Sequence, residues 1–166
     1  MHDLIIFSGC PCSGKSTVSE LLRGELGCPL FDFASFRDVH LDKDWSNASA
    51  EEENMAFENL VFILKNYIKH GYKNVVVDDL EEDRVQALTD IFKDLSFASI
   101  TLTVDSDNTL RERMANREGE YKDIERTLEW NRMVKERPPL PHEIRLDNSG
   151  ISPEETVAKI MSHLSA

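Results

Sequence analysis

Eight residues near the amino terminus, Gly9-Cys10-Pro11-Cys12-Ser13-Gly14-Lys15-Ser16, constrain the fold of this chain more than any other stretch. They fit the pattern Gly-x-x-x-x-Gly-Lys-[Ser/Thr] without a gap. The flanks give the pattern its structural meaning. Asp3 to Ser8 reads as a short buried strand, and Ser16 onward reads as the start of a helix. A strand, a glycine-bearing loop and a helix N-terminus together aim backbone N–H groups at one spot, where the helix dipole also favours an anion. The segment Gly9 to Thr17 is therefore expected to bind a nucleotide phosphate. Lys15 is placed to reach the outer phosphates as a point charge, and the Ser16 hydroxyl to bind Mg²⁺.

Downstream, strands alternate with helices. The spacing predicts a helix from Ser16 to Leu26, stopped by Gly27, and a strand over Pro29 to Phe33 leading into a helix start at Ala34 to Asp38. A polar, acidic stretch from Asp42 to Glu53, which includes Asp44 and Trp45, leads into a long helix from about Ser49 to His70. Its packed side is expected to use Met55, Leu60, Phe62, Ile63, Leu64, Tyr67 and Ile68. Asn74 to Asp79 is a strand of continuous β-branched residues, as for a strand covered on both faces. A helix over Asp83 to Leu95 and a strand over Ala98 to Val104 follow. Asp107 is expected to cap a helix from Asn108 to Arg117, broken by Gly119. Asp123 to Glu136 is a further helix, Glu143 to Asp147 a fifth strand, and Ser152 caps a last helix beginning at Pro153. This alternation argues for an α/β fold, a parallel sheet with helices on both faces. Ligands then bind beyond the carboxyl ends of the strands. That edge holds Gly9 to Ser16, Asp32 to Arg37, Asp78 to Arg84 and Asp105.

With 166 residues and neither repeat nor linker, the chain is expected to form a single domain over 1–166. Its net charge of -12 argues against a nucleic-acid polymer as partner, since no basic surplus exists to neutralise a phosphate backbone. No apolar run is long enough to span a bilayer and no leader pattern precedes the first strand, so a cytoplasmic location is expected. The three cysteines, Cys10, Cys12 and Cys28, do not form a disulfide framework, which suits a reducing compartment. Cys10 and Cys12 read first as small side chains filling the loop. A thiol beside a helix N-terminus is also a candidate for redox sensitivity, because that location lowers a thiol pKa.

A phosphate loop in the first residues, five short strands and this length resemble the small P-loop kinases, the group of nucleotide kinases such as adenylate kinase and hydroxyl-group kinases such as shikimate kinase. The resemblance implies a three-layer P-loop fold with sheet order 2-3-1-4-5, and ATP and Mg²⁺ as cofactors. It also implies an acceptor-binding lobe at about 34–70 and a short lid at about 117–123 without zinc cysteines. Cys12 departs from the family, which commonly carries Gly there.

Asp78 closes an apolar strand where P-loop proteins place the acid that organises Mg²⁺, with Asp79 competing for that role or contacting the substrate. Arg37 falls where nucleotide kinases hold the acceptor phosphate. The preceding Asp of that segment is Ala34 here, and in shikimate-type kinases this same position touches the acceptor hydroxyl. The missing acid tilts toward a phosphate acceptor, which is already ionised, while Asp32 or Asp38 is left as a base for a hydroxyl. Arg84 and Gln86 resemble the Arg and Gln that contact an acceptor nucleotide, and a solvated helix face is the alternative for Gln86. Arg113 and Arg117 lie one helical turn apart on the helix that carries catalytic arginines into the lid, with Arg126 and Arg132 as second candidates. Leu146 to Ser152 resembles the loop whose backbone contacts adenine.

The expected activity is phosphoryl transfer from ATP to a small acceptor, first a nucleoside or nucleotide, by a monomer or homodimer. A hydroxyl metabolite or antibiotic is the second class, and Asp38, Asp42 and Asp44 suit such an acceptor. A regulatory NTPase is the third, although no guanine-reading Asn-Lys-x-Asp occurs.

Overall fold

The computed structural model describes residues 1–42, 46–118 and 121–165. Asp44 and Trp45 of the acidic segment, and Gly119 of the expected helix break, lie outside them. In chain order the elements are β1 (Leu4–Ser8), α1 (Lys15–Leu26), β2 (Leu30–Asp32), α2 (Phe33–Asp38), α3 (Ala50–Lys69), β3 (Val75–Asp78), α4 (Glu82–Ile91), β4 (Phe97–Thr103), α5 (Asp107–Asn116), α6 (Ile124–Glu136), β5 (Glu143–Asp147) and α7 (Pro153–Leu164).

The strands form one five-stranded sheet in the order β2-β3-β1-β4-β5, and every pairing is parallel. This is the P-loop order. Successive residues of β1 serve opposite faces, as the two-residue period of a strand requires. Leu4 and Ile6 join Val75, Val77, Leu60, Leu64, Val85 and Leu88 in the core under α3 and α4. Ile5 and Phe7 join Val76, Ile100, Leu102, Val18, Leu22 and Ile160 under α1 and α7. All five residues of β1 are buried, which is why its sequence reads as an unbroken apolar run. Among the described residues no helix is long and apolar enough to cross a membrane.

Several boundaries differ from the sequence expectation, each for a local reason. β2 ends at Asp32 instead of running to Phe33, because the Asp32 carboxylate accepts the Ala34 N–H and starts α2. Ser106, not Asp107, caps α5, accepting the Thr109 N–H at 3.2 Å. α4 begins at Glu82 and ends at Ile91, and Phe92 to Leu95 continue only as a turn. On α3 the buried stripe is Ala56, Phe57, Leu60 and Leu64. Phe62 is 72% exposed, since two residues beyond Leu60 is about 200° around the helix. The Ser152 cap forms as expected, as a complete capping box with Glu155, and Ser49 caps α3 by accepting the Glu52 N–H.

Because all strands point the same way, their carboxyl ends share one edge. The β2–β3 register sets Asp32 directly beside Asp78 on that edge, and the loops after β1, β4 and β5 complete it.

Candidate active site

The loop between β1 and α1 is shaped by backbone conformations that its glycines permit. Gly9 has φ 130°, and a Cβ there would lie 2.3 Å from the Leu102 carbonyl oxygen of the neighbouring strand. Gly14 has φ 94° and is the N-cap of α1, with no side chain capping the helix. The first N–H groups of α1 are thus left for an anion. Cys12 adopts φ 61° without being glycine, a conformation that costs a side-chain-bearing residue about 1–2 kcal/mol. Lys15 Nζ donates to the carbonyls of Gly9 at 2.9 Å and Cys10 at 3.0 Å, and burial lowers its pKa. Cys10 is fully buried, and desolvation pushes its thiol up to about 11. That is opposite to the direction expected of a thiol beside a helix N-terminus. Cys12 is half-buried, with its Sγ 3.9 Å from Met114 Sδ.

Behind the loop lies Asp78, 2% exposed. Its Oδ2 accepts a hydrogen bond from Ser19 Oγ at 2.6 Å, and its Oδ1 is buried with no hydrogen-bond partner. Desolvation, reinforced by Asp32 and Asp79, raises its pKa to about 6. An ionised carboxylate with a free buried oxygen beside a phosphate loop is a good place for a cation. Among the described residues, no three His, Cys, Asp or Glu side chains gather to hold a metal by themselves. A magnesium ion therefore fits here only with Ser16, water and phosphate oxygens completing its shell, the arrangement Mg²⁺ prefers.

The acids on either side are engaged differently. Asp32 is taken up as the α2 cap, with its pKa raised, chiefly by desolvation. Asp79, at φ 58°, turns its carboxylate onto Arg37, with Asp79 Oδ2 2.8 Å from Arg37 Nη2. The Arg37 guanidinium also stands over the Phe33 ring, 5.3 Å from its centroid. Arg84 faces α3 instead, donating to Asn54 Oδ1 at 2.7 Å and stacking 4.7 Å from the Phe57 centroid. Gln86 binds Thr89 and Asp90 of its own helix.

A cleft of about 990 Å³ runs along this edge, at the upper end of the range for small-molecule sites. The phosphate loop walls one part, Ala34, Arg37, Asp79 and Glu81 another, and Arg113, Arg117 and Arg126 a third. Asp32, Asp78 and Arg84 are not among its lining residues. Arg132 pairs with Glu129 on α6 and likewise stays out of it. Arg113 is fixed: its guanidinium donates to Asn148 Oδ1 at 3.1 Å and to the Asn148 carbonyl at 3.0 Å. Arg117 is exposed.

Sequence reasoning missed Ser19, Trp130 and Asn148. The only available signal for Trp130 was its apolar position on an amphipathic helix. In the fold it lines the cleft and packs on the small core of Cys10, Val104 and Leu110 beneath the loop. The whole arrangement can cradle polyphosphate, neutralise it with several cations and seat a second molecule between α2 and α6.

A protein-family model described as "AAA domain" matches residues 5–135. Among curated proteins, one named "Putative adenylate kinase" from Thermococcus gammatolerans is 29% identical over 163 residues, covering 95% of this chain and 83% of that protein. Among solved structures, a sugar kinase from Janibacter sp. HTCC2649 superposes with a TM-score of 0.71 at 16% identity, covering 98% of this chain and 94% of that one. The tunicamycin resistance protein of Deinococcus radiodurans gives 0.74 at 15% identity, covering 99% and 96%. The fold is that of the small P-loop kinases.

Proposed function

This chain belongs to the AAA domain family, and we propose that it is an ATP- and Mg²⁺-dependent kinase that transfers a phosphoryl group to a small-molecule acceptor. The observation that carries this reading is the single cleft in which the phosphate loop, three arginines and the Arg37–Asp79 pair all meet. Phosphoryl transfer asks a protein mainly for positioning and for charge opposite the equatorial oxygens. Lys15 and the α1 N-terminus hold the β and γ phosphates, while Arg113 and Arg117 offset charge that develops in the transition state. Ser16 and Asp78 would hold Mg²⁺, which would supply positive charge to neutralise the outer phosphates. An acceptor filling the cleft would exclude water from the phosphate and so favour transfer over hydrolysis.

The acceptor is a nucleoside or nucleotide in the first reading, supported by the Thermococcus relative's name. The Arg37–Asp79 pair favours a second class. Arg37 Nη2 already donates to the Asp79 carboxylate, so an acceptor phosphate would share the guanidinium with that acid, whereas a hydroxyl can be received by Asp79 directly. Nucleosides and sugar-like alcohols satisfy that better than phosphorylated acceptors do. Three free cysteines accord with action in the cytoplasm, as a monomer or homodimer.

The test is a panel of nucleosides, nucleoside monophosphates, sugars, sugar acids and aminoglycosides incubated with MgATP, followed by detection of ADP and of phosphorylated product. A stoichiometric product with one acceptor class is expected. ATP hydrolysis that no acceptor stimulates would instead identify a regulatory NTPase.

A further inference from the structure

Asn148 follows β5, is 4% exposed, and makes four hydrogen bonds that join three separate parts of the site. Its backbone N–H donates to the Thr103 carbonyl at 3.1 Å, tying it to the end of β4. Its Nδ2 donates to the Ser13 carbonyl of the phosphate loop at 2.6 Å. Its Oδ1 and its own carbonyl accept from the two terminal nitrogens of Arg113, at 3.1 and 3.0 Å. Arg113 in turn reaches the Cys12 carbonyl at 3.4 Å, closing a ring of contacts through the loop.

We infer that Asn148 is a positioning residue that holds the phosphate loop and Arg113 as one unit, so that MgATP affinity depends on its carboxamide. A carboxamide is the side chain this place requires. The Ser13 carbonyl takes only a donor and the guanidinium only an acceptor, and an amide offers one on each side. The bond to Ser13 does more than satisfy a buried group. A trans peptide is planar, so pinning the Ser13 C=O toward Asn148 directs the Gly14 N–H the opposite way. Gly14 is the α1 N-cap, the centre of the phosphate cradle. Its missing side chain is part of the same fit, because a Cβ on Gly14 would stand 3.0 Å from Asn148 Nδ2. The loop's shape and the arginine's placement are thus set by one buried side chain distant in sequence from both. The resemblance to known kinases assigned this segment only backbone contacts to a base.

This inference rests on the proposed reading that the loop binds MgATP, and the experiment separates the two. MgATP is titrated calorimetrically into wild type, Asn148→Asp, Asn148→Ala, Arg113→Ala and the Asn148→Ala/Arg113→Ala double variant, with thermal melts of each ligand-free protein. Asn148→Asp keeps the volume and the Arg113 contact but turns a carboxylate toward the Ser13 carbonyl. It is expected to weaken MgATP at least about tenfold, and it remains informative if the alanine variant melts below the assay temperature. In the double-mutant cycle, adding Arg113→Ala to Asn148→Ala should cost at least about fivefold less affinity than Arg113→Ala costs in wild type. A purely structural role would shift the melts yet leave the two losses multiplying independently. Multiplying losses, or Asn148→Asp binding within about twofold of wild type, would overturn the inference. Wild type that binds no MgATP would overturn the functional reading, and this inference with it.

Discussion

Ser19 Oγ donates a 2.6 Å hydrogen bond to Asp78 Oδ2, locking the first turns of α1 to the carboxyl end of β3. The Ser16 carbonyl lies 3.2 Å from the same hydroxyl oxygen, but its single proton is committed to the carboxylate. One oxygen of Asp78 is therefore oriented by the fold, and the other is buried without a partner. Such a group is a cost to the folded chain and an asset to a cation site.

Replacing Asp78 by asparagine should separate those two effects. The carboxamide retains an acceptor for Ser19 and carries no charge to desolvate. The Asp78→Asn variant is expected to melt higher than wild type at pH 8, by up to about 3 kcal/mol for a rise of roughly two pKa units. Mg²⁺-dependent turnover should fall at least about a hundredfold. Thermal melts and product assays on the same preparations check both. A variant that is both less stable and fully active would remove Asp78 from the metal site.

The pH dependence follows from the sign of the shift. The Asp78 carboxyl rises from 3.8 to about 6 on folding, so the native state binds its proton more tightly. Its contribution to stability is fully present below pH 3.8 and is lost as pH rises to about 6. Cation binding runs the other way, since it needs the carboxylate. Mg²⁺-dependent nucleotide affinity should decline as pH falls through about 6 in wild type, and decline less in Asp78→Asn, as read by calorimetry from about pH 5 to pH 8.

Arg37→Ala tests the acceptor side. The KM for the acceptor should rise about ten- to a hundredfold, because a charge-assisted contact at the cleft wall is lost. Affinity for MgATP should stay within about twofold, since the contacts of Arg37 to Asp79 and Phe33 lie outside the phosphate loop. Equal losses in both would place Arg37 with the nucleotide.

At Gly9 the steric demand is severe. Gly9→Ala places a Cβ 2.3 Å from the Leu102 carbonyl, and backbone cannot retreat as a side-chain tip can. Destabilisation of roughly 3 kcal/mol or more is expected, visible in urea unfolding, with loss of MgATP binding.

Cys12→Gly relaxes the loop at its one described non-glycine positive φ. Relief of about 1 kcal/mol is offset in part by the added freedom of glycine when unfolded, so stability should change by less than about 1 kcal/mol. The thiol lines the cleft, so mild peroxide should lower nucleotide affinity in wild type and leave Cys12→Gly unaffected. Equal insensitivity of both proteins would make Cys12 a packing residue only.

Much of this was legible before any coordinates. Gly9, Gly14 and Lys15 are a short contiguous pattern whose physics is local, so spacing alone locates the loop. Unbroken apolar strands announced a doubly covered parallel sheet. Helix stripes were harder. Phe62 reads as core by hydrophobicity, and only which face of α3 packs on the sheet decides that Phe57 is buried instead. Arg84 and Arg37 look alike in sequence. Tertiary packing sends one onto Phe57 and the other into the cleft.

By itself, the sequence determined which end of the cleft cradles phosphate, because that function resides in consecutive backbone groups that a few glycines and one lysine specify. Only the tertiary structure decided which acid is buried, which arginine is held, and what holds it. Asp78 and Ser19 are 59 residues apart, and Asn148 and Ser13 are 135 apart. No local periodicity encodes such pairs. They exist because the parallel sheet brings every strand's carboxyl end to one edge, where a desolvated polar group must find its partner in whatever segment arrives beside it.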